Sequence, residues 1–61
     1  MKLVRFTGDK TGIYVNPRNV LYIAPHYKEP KHTMIIFVDG TVYTVKESLE
    51  TVKFELEDAP T

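Results

Sequence analysis

The stretch Thr33–Val45, "TMIIFVDGTVYTV", decides how this chain folds. Thr33 to Asp39 reads as its clearest β-strand. Asp39-Gly40 is a strong hairpin signal, because both residues tolerate the positive φ of a type I′ turn. Thr41 to Val45 then returns antiparallel. The strand is apolar on both faces, with Met34, Ile36 and Val38 on one side and Ile35 and Phe37 on the other. Such a strand needs cover on both sides.

Upstream, "VLYIAPHY" (Val20 to Tyr27) reads as another strand. By alternation, Leu21 and Ile23 lie opposite Val20, Tyr22 and Ala24, so both of its faces are apolar too. Pro25 lacks an N–H, which sends that end of the strand to a bulge or a sheet edge. Further upstream, "KLVRF" (Lys2 to Phe6) alternates apolar and basic residues and predicts a half-buried strand. "GDKTG" (Gly8 to Gly12) is a turn and "IYV" (Ile13 to Val15) a short strand. "NPRN" (Asn16 to Asn19) ends it, with Pro17 pre-setting φ and Asn16 placed to bond the backbone two residues on.

Downstream, "ESLETVKFELEDAPT" supports two patterns. As a helix over about 48–58, Leu49, Val52, Leu56 and Ala59 share a stripe, with Phe54 off it. As a sixth strand, Val52, Phe54 and Leu56 alternate with Lys53, Glu55 and Glu57. The helix is favoured by the Glu, Leu and Lys content, by Glu47 and Glu50 at its positive end, and by Pro60 at its stop. Ser48 falls where a cap or first-turn residue belongs. The expected fold is α+β and mainly β: a four- to five-stranded antiparallel sheet, open to curling into a half-barrel, with one C-terminal helix. The alternative is all-β.

Sixty-one residues make a single domain, 1–61. A chain this short buries only about 60% of its unfolded surface, so its core is thin. Cysteine is absent, which excludes disulfides and thiolate metal sites and leaves oligomerisation as the staple. One amphipathic helix covers one sheet face, so the second face calls for the curl of a barrel, another subunit or a partner. The expected self-association face is Met34, Ile36, Val38 and Tyr22, and the expected assembly a homo-oligomer, dimer first. Met1 to Thr7 is charged and unlike a signal peptide, and no apolar run approaches the roughly 20 residues of a spanning helix. A cytoplasmic protein without membrane insertion is the expectation.

Formal charge is zero but unevenly spread. Through His32 six basic residues face two acidic ones; from Thr33 onward two face six. This polarity fits an anion-binding face or two halves that attract each other.

Candidate chemistry concentrates in "HYKEPKH" (His26 to His32). A metal site needs both histidines on one face, which a five-residue loop pairing His26 with His32 allows and a four-residue loop forbids. Even then there are two ligands and Glu29, short of the three or four zinc takes. No metal and no cofactor are therefore assigned. As a contact tip for nucleic acid or a partner, the stretch offers His26, Tyr27, Lys28, Lys31 and His32, with Arg18 and Arg5 as extensions of the surface. Catalytic residues are not assigned: Ser48 is the only serine, and no phosphate loop or His-Glu motif is present.

"YVNPRNVLYI" followed by "TMIIFVDGTVYTVKESLETV" resembles the small flagellar FlbD-type (SwrD-type) bacterial proteins. These carry an asparagine-proline after a strand, a glycine turn, and a "VKES" step into a C-terminal helix. The matching positions are Asn16, Pro17, Val20, Ile23, Thr33, Ile35, Gly40, Tyr43, Val45, Lys46, Glu47, Ser48 and Val52, and the match spans most of the chain. It departs at "PHYKEPKH", which is longer than the family's connection, and in the acidic tail. The same region is similar to the start of LytTR-type DNA-binding domains, which continue past the point where this chain ends. The first resemblance implies a helical tail and an accessory or regulatory role through protein contacts, with no catalytic residues. The lengthened loop leaves room for a relative with another task, such as a phage-encoded small protein acting on a host target. The expected function is thus a non-enzymatic binding module with an unidentified protein partner. The alternative is a nucleic-acid-binding small regulator, to which the CsrA type offers an analogy of size and strand content alone.

Overall fold

A computed structural model describes residues 3–8 and 10–58. Five strands and a helix follow one another as β1 (Val4–Thr7), β2 (Gly12–Val15), a 3-10 turn (Pro17–Asn19), β3 (Val20–Pro25), β4 (Thr33–Phe37), β5 (Val42–Val45) and α1 (Leu49–Asp58). Lys2, Asp9, Ala59 and Pro60, which entered the readings of the first strand, the first turn and the helix, lie outside the described residues. The strands divide into two antiparallel sheets, a β1-β2 hairpin and a β3-β4-β5 meander, and do not close into a barrel. This corrects the single sheet of four or five strands. The tail is a helix, so the sixth-strand alternative is also set aside.

The two sheets meet through Phe6, Val15, Ile35, Val45 and Val52, the buried cluster against which Val4, Ile13, Val20, Ile23, Phe37 and Leu56 pack. The three-stranded sheet forms one layer, and the hairpin with α1 forms the other. One short seam fastens them. Lys46 N–H, just past β5, donates to Thr7 C=O at 2.8 Å. Thr7 N–H donates to both carboxylate oxygens of Glu47, at 3.0 and 2.9 Å. Fully buried Thr33 donates its hydroxyl to the Glu47 carbonyl at 2.8 Å, which satisfies the only polar side chain in the core among the described residues. Gly8 follows directly: a Cβ there would meet Thr11 C=O at 2.8 Å and the Tyr43 ring at 3.2 Å, so the hairpin passes close only as glycine.

Ser48 caps α1. Its hydroxyl accepts from Thr51 N–H at 3.3 Å and its carbonyl from Val52 N–H at 2.9 Å. Leu49, Val52 and Leu56 turn inward while Phe54, off that stripe, is 65% exposed. Asn16 accepts from Arg18 N–H at 3.1 Å, the local bond expected of an asparagine before proline.

Two details depart from simple alternation. In β3, Val20 pairs with Phe37 but Tyr22 pairs with Ile36, so a bulge intervenes. Val20 and Ile23 consequently both reach the core, while Leu21 is exposed. At the β4–β5 turn, Phe37 N–H donates to Thr41 C=O and Gly40 N–H to Phe37 C=O. Only Gly40 has positive φ, +92°, so the loop is three residues, a type I turn closed by a left-handed glycine, and not the two-residue type I′ turn. Asp39 stays at negative φ because its carboxylate accepts Thr41 N–H at 2.9 Å.

Ile35→Ala removes a fully buried side chain from the central strand and is expected to cost about 2–5 kcal/mol in urea unfolding, a large share of what a small domain holds. The Thr41 bonds hold the Asp39 carboxyl below its ordinary value of 3.8. A lowered folded-state value adds stability above 3.8 that is lost as pH falls through the lowered value. Asp39→Ala is therefore expected to lower the melting temperature at neutral pH, with the gap from the unsubstituted chain closing in acid.

Candidate functional site

Strand register sets which residues share a surface. β3 pairs Tyr22 with Ile36 and Ala24 with Met34, while β5 pairs Val42 with Ile36 and Thr44 with Met34. Side chains alternate along strands, so these six residues lie on the outer face of the meander, away from the core layer. Two rows result: Tyr22, Ile36 and Val42, then Ala24, Met34 and Thr44. The hairpin and α1 pack against the other face, and α1 borders this one only at Tyr22, which shares a hollow with Leu49, Lys53, Leu56 and Glu57. Tyr22 is 56% and Val42 51% exposed, while Ile36 between them is buried, at 8%.

A third row follows from the 26–32 loop. His26 N–H donates to His32 C=O at 3.0 Å, so the two histidines pair directly and the loop is Tyr27 to Lys31. This is the five-residue case, and it brings both histidines to one face. Continuing the register places His26, His32 and Lys46 beyond Ala24, Met34 and Thr44. The outer face therefore runs from apolar at the Asp39-Gly40 end to cationic and aromatic at the 26–32 end.

His26 has a structural task there. Its Nδ1 accepts from Lys28 N–H at 3.2 Å and from Glu29 N–H at 3.1 Å, which organises the loop as an Asn or Asp side chain would. Glu29 C=O accepts from His32 N–H at 2.8 Å. The His26 and Tyr27 rings stack at 4.7 Å, with Lys28 Nζ 5.6 Å from the Tyr27 centroid. No group of three or more His, Cys, Asp or Glu placed to hold a metal occurs among the described residues.

The other expected contact residues go elsewhere. Arg5 lies on β1 with its guanidinium over Gly12, on the face of the hairpin turned from the core, so it is on the opposite layer. Arg18 precedes β3 whereas His26 to His32 follow it, about 3.3 Å per residue away along a six-residue strand. Lys28 and Lys31 thus share the tip with the histidines, and the arginines do not join them. Of the expected self-association residues, Tyr22, Met34 and Ile36 share the outer face. Val38 lies just past the end of β4, 60% exposed, and its N–H donates to Asn19 C=O at 2.8 Å.

Val42, Thr44 and Lys46 belong to the same surface and are absent from the contact and self-association residues that the sequence suggests. The loop length is what hides them. A two-residue turn at Asp39-Gly40 would set Tyr43 and Val45 beside Ile36 and Met34, whereas the three-residue loop sets Val42 and Thr44 there.

No family model matches the chain, and no curated protein or solved structure matches it either. No helix among the described residues is long and apolar enough to cross a membrane.

His26→Ala is expected to speed amide exchange at Lys28 and Glu29 while lowering global stability by no more than about 1 kcal/mol per lost bond. His32→Ala should leave those two amides unchanged, since its ring takes no part in them.

Proposed function

We propose that this chain is a small non-enzymatic binding module. It acts in regulation or assembly through protein contacts, self-associates, dimer first, and presents the outer face of its three-stranded sheet to a target. The observation that carries this reading is the pair of exposed residues Tyr22 and Val42 flanking buried Ile36, with half-buried Met34 in the next row, on the sheet face opposite the core layer. Isolated exposed apolar residues are ordinary, but a contiguous set on one sheet face marks an interaction site. The resemblance to the FlbD-type proteins supports an accessory role. A phage-type small protein acting on a host target has the same physical requirements. A cytoplasmic setting accords with the lack of cysteine.

A nucleic-acid-binding regulator is the second reading, and the exposed Tyr27 ring beside Lys28 favours it. The separation of Arg5 and Arg18 from the tip weakens it, because phosphate binding gains from clustered cations.

Affinity capture from the native host, with nuclease treatment, separates the two. Met34→Glu is expected to abolish capture of a protein target by tenfold or more while Lys28→Glu, Lys31→Glu and Arg18→Glu leave it intact. Capture that disappears with nuclease, falls steeply with salt and is lost on the lysine changes would overturn the protein-contact reading.

A further inference from the structure

The meander has two edges, and they are built differently. On β3 the hydrogen-bonded partners of β4 include His26, whose N–H donates to His32 C=O; by alternation Pro25 then points its backbone nitrogen outward. A proline at that position and a bulge near Leu21 blunt the edge, the devices by which sheets refuse another strand. On β5 neither device occurs. Phe37 N–H bonds Thr41 C=O, so the bonded pairs to β4 are Ile35–Tyr43 and Thr33–Val45. The backbone N–H and C=O of Val42 and Thr44 therefore point away from the sheet, with no partner among the described residues. Beyond them, Lys46 N–H is taken by Thr7, which closes the edge. A depression of about 370 Å³, lined by His32 and the continuous run Val42 to Lys46, follows this open segment.

We propose that the occupant of the β5 edge is β5 of a second copy, paired antiparallel about Tyr43. This rests on the self-association reading and specifies its contact. In that register Val42 faces Thr44 of the second copy and Thr44 faces its Val42, so all four outward groups on each chain segment meet their complements across a twofold axis. The length of the opening selects this partner. A long strand would run into Thr7 after Thr44, but β5 begins at Val42, and its preceding turn bends toward its own β4 just there. Charge agrees at the same place. Each Lys46 lies near the Asp39-Gly40 turn of the other copy, and Asp39 is an exposed carboxyl held in its charged form by Thr41. The pairing yields a six-stranded sheet whose two outer faces form one continuous apolar surface, wider than either chain offers.

Sedimentation velocity and amide exchange on the full chain test this together. A dimer at tens of micromolar is expected, with exchange at Val42 and Thr44 slowing as concentration rises while exchange at Tyr43 does not change. Thr44→Pro removes a donor that the β4 ladder does not use and should weaken the dimer roughly thirtyfold, as two bonds are lost across the axis. If that variant fails to fold, the concentration dependence in the unsubstituted chain decides alone. A dimer whose Val42 and Thr44 amides exchange at a rate independent of concentration overturns the edge pairing and leaves self-association standing. A monomer throughout overturns both.

Discussion

The governing constraint is a central strand that is apolar on both faces in a chain with material to cover one. Thr33, Ile35 and Phe37 take the covered side, where the β1-β2 hairpin and α1 seal them into a core with Phe6, Val15, Val45 and Val52. Met34 and Ile36 take the other. Everything that closes the covered side converges on residues 46 and 47. The backbone of Lys46 ties β5 to β1, and the Glu47 side chain holds Thr7. The Glu47 carbonyl satisfies Thr33, and Ser48 then starts the helix. Both covering elements pack on this side of the sheet, the hairpin through Phe6 and Val15 and the helix through Val52 and Leu56.

Local chemistry was readable wherever one residue type dictates one geometry. Ser48 caps, Asn16 bonds Arg18, Pro25 takes an edge position, and Leu49, Val52 and Leu56 turn inward. Quantities set by long-range pairing were not. The division into two sheets depends on where Thr7 meets Lys46, some forty residues apart in the chain, and no local pattern encodes that contact. The bulge in β3 is likewise silent, since Val20 to Ala24 is apolar at every position and gives alternation nothing to contradict. The Asp39-Gly40 pair serves either hairpin loop. The choice between them rests on whether Asp39 turns to positive φ or uses its carboxylate on Thr41, and that one choice determines which side of β5 is buried.

The candidate site was legible in part for the same reasons. Met34, Ile36 and Tyr22 were identified from two-sided hydrophobicity and do share a face. Val38, assigned there by alternation, lies in the turn just past the end of β4. The histidines share a face because the loop has five residues, yet the Nδ1 of His26 is committed to the loop backbone, which makes it a structural element of the tip. The even distribution of cations along the N-terminal half does not become a patch. β1 and β3 belong to different layers, and Arg18 sits at the far end of β3 from Lys28 and Lys31.

Solvent exposure of the two faces of β4 tests the central claim most directly. With dilute protein and a soluble paramagnetic probe, side-chain signals of Met34, Val42 and Tyr22 should broaden strongly while those of Ile35, Val45 and Val52 stay sharp. Equal protection of both sets in dilute solution would contradict the account, because it would mean that the chain covers both faces of its central strand by itself.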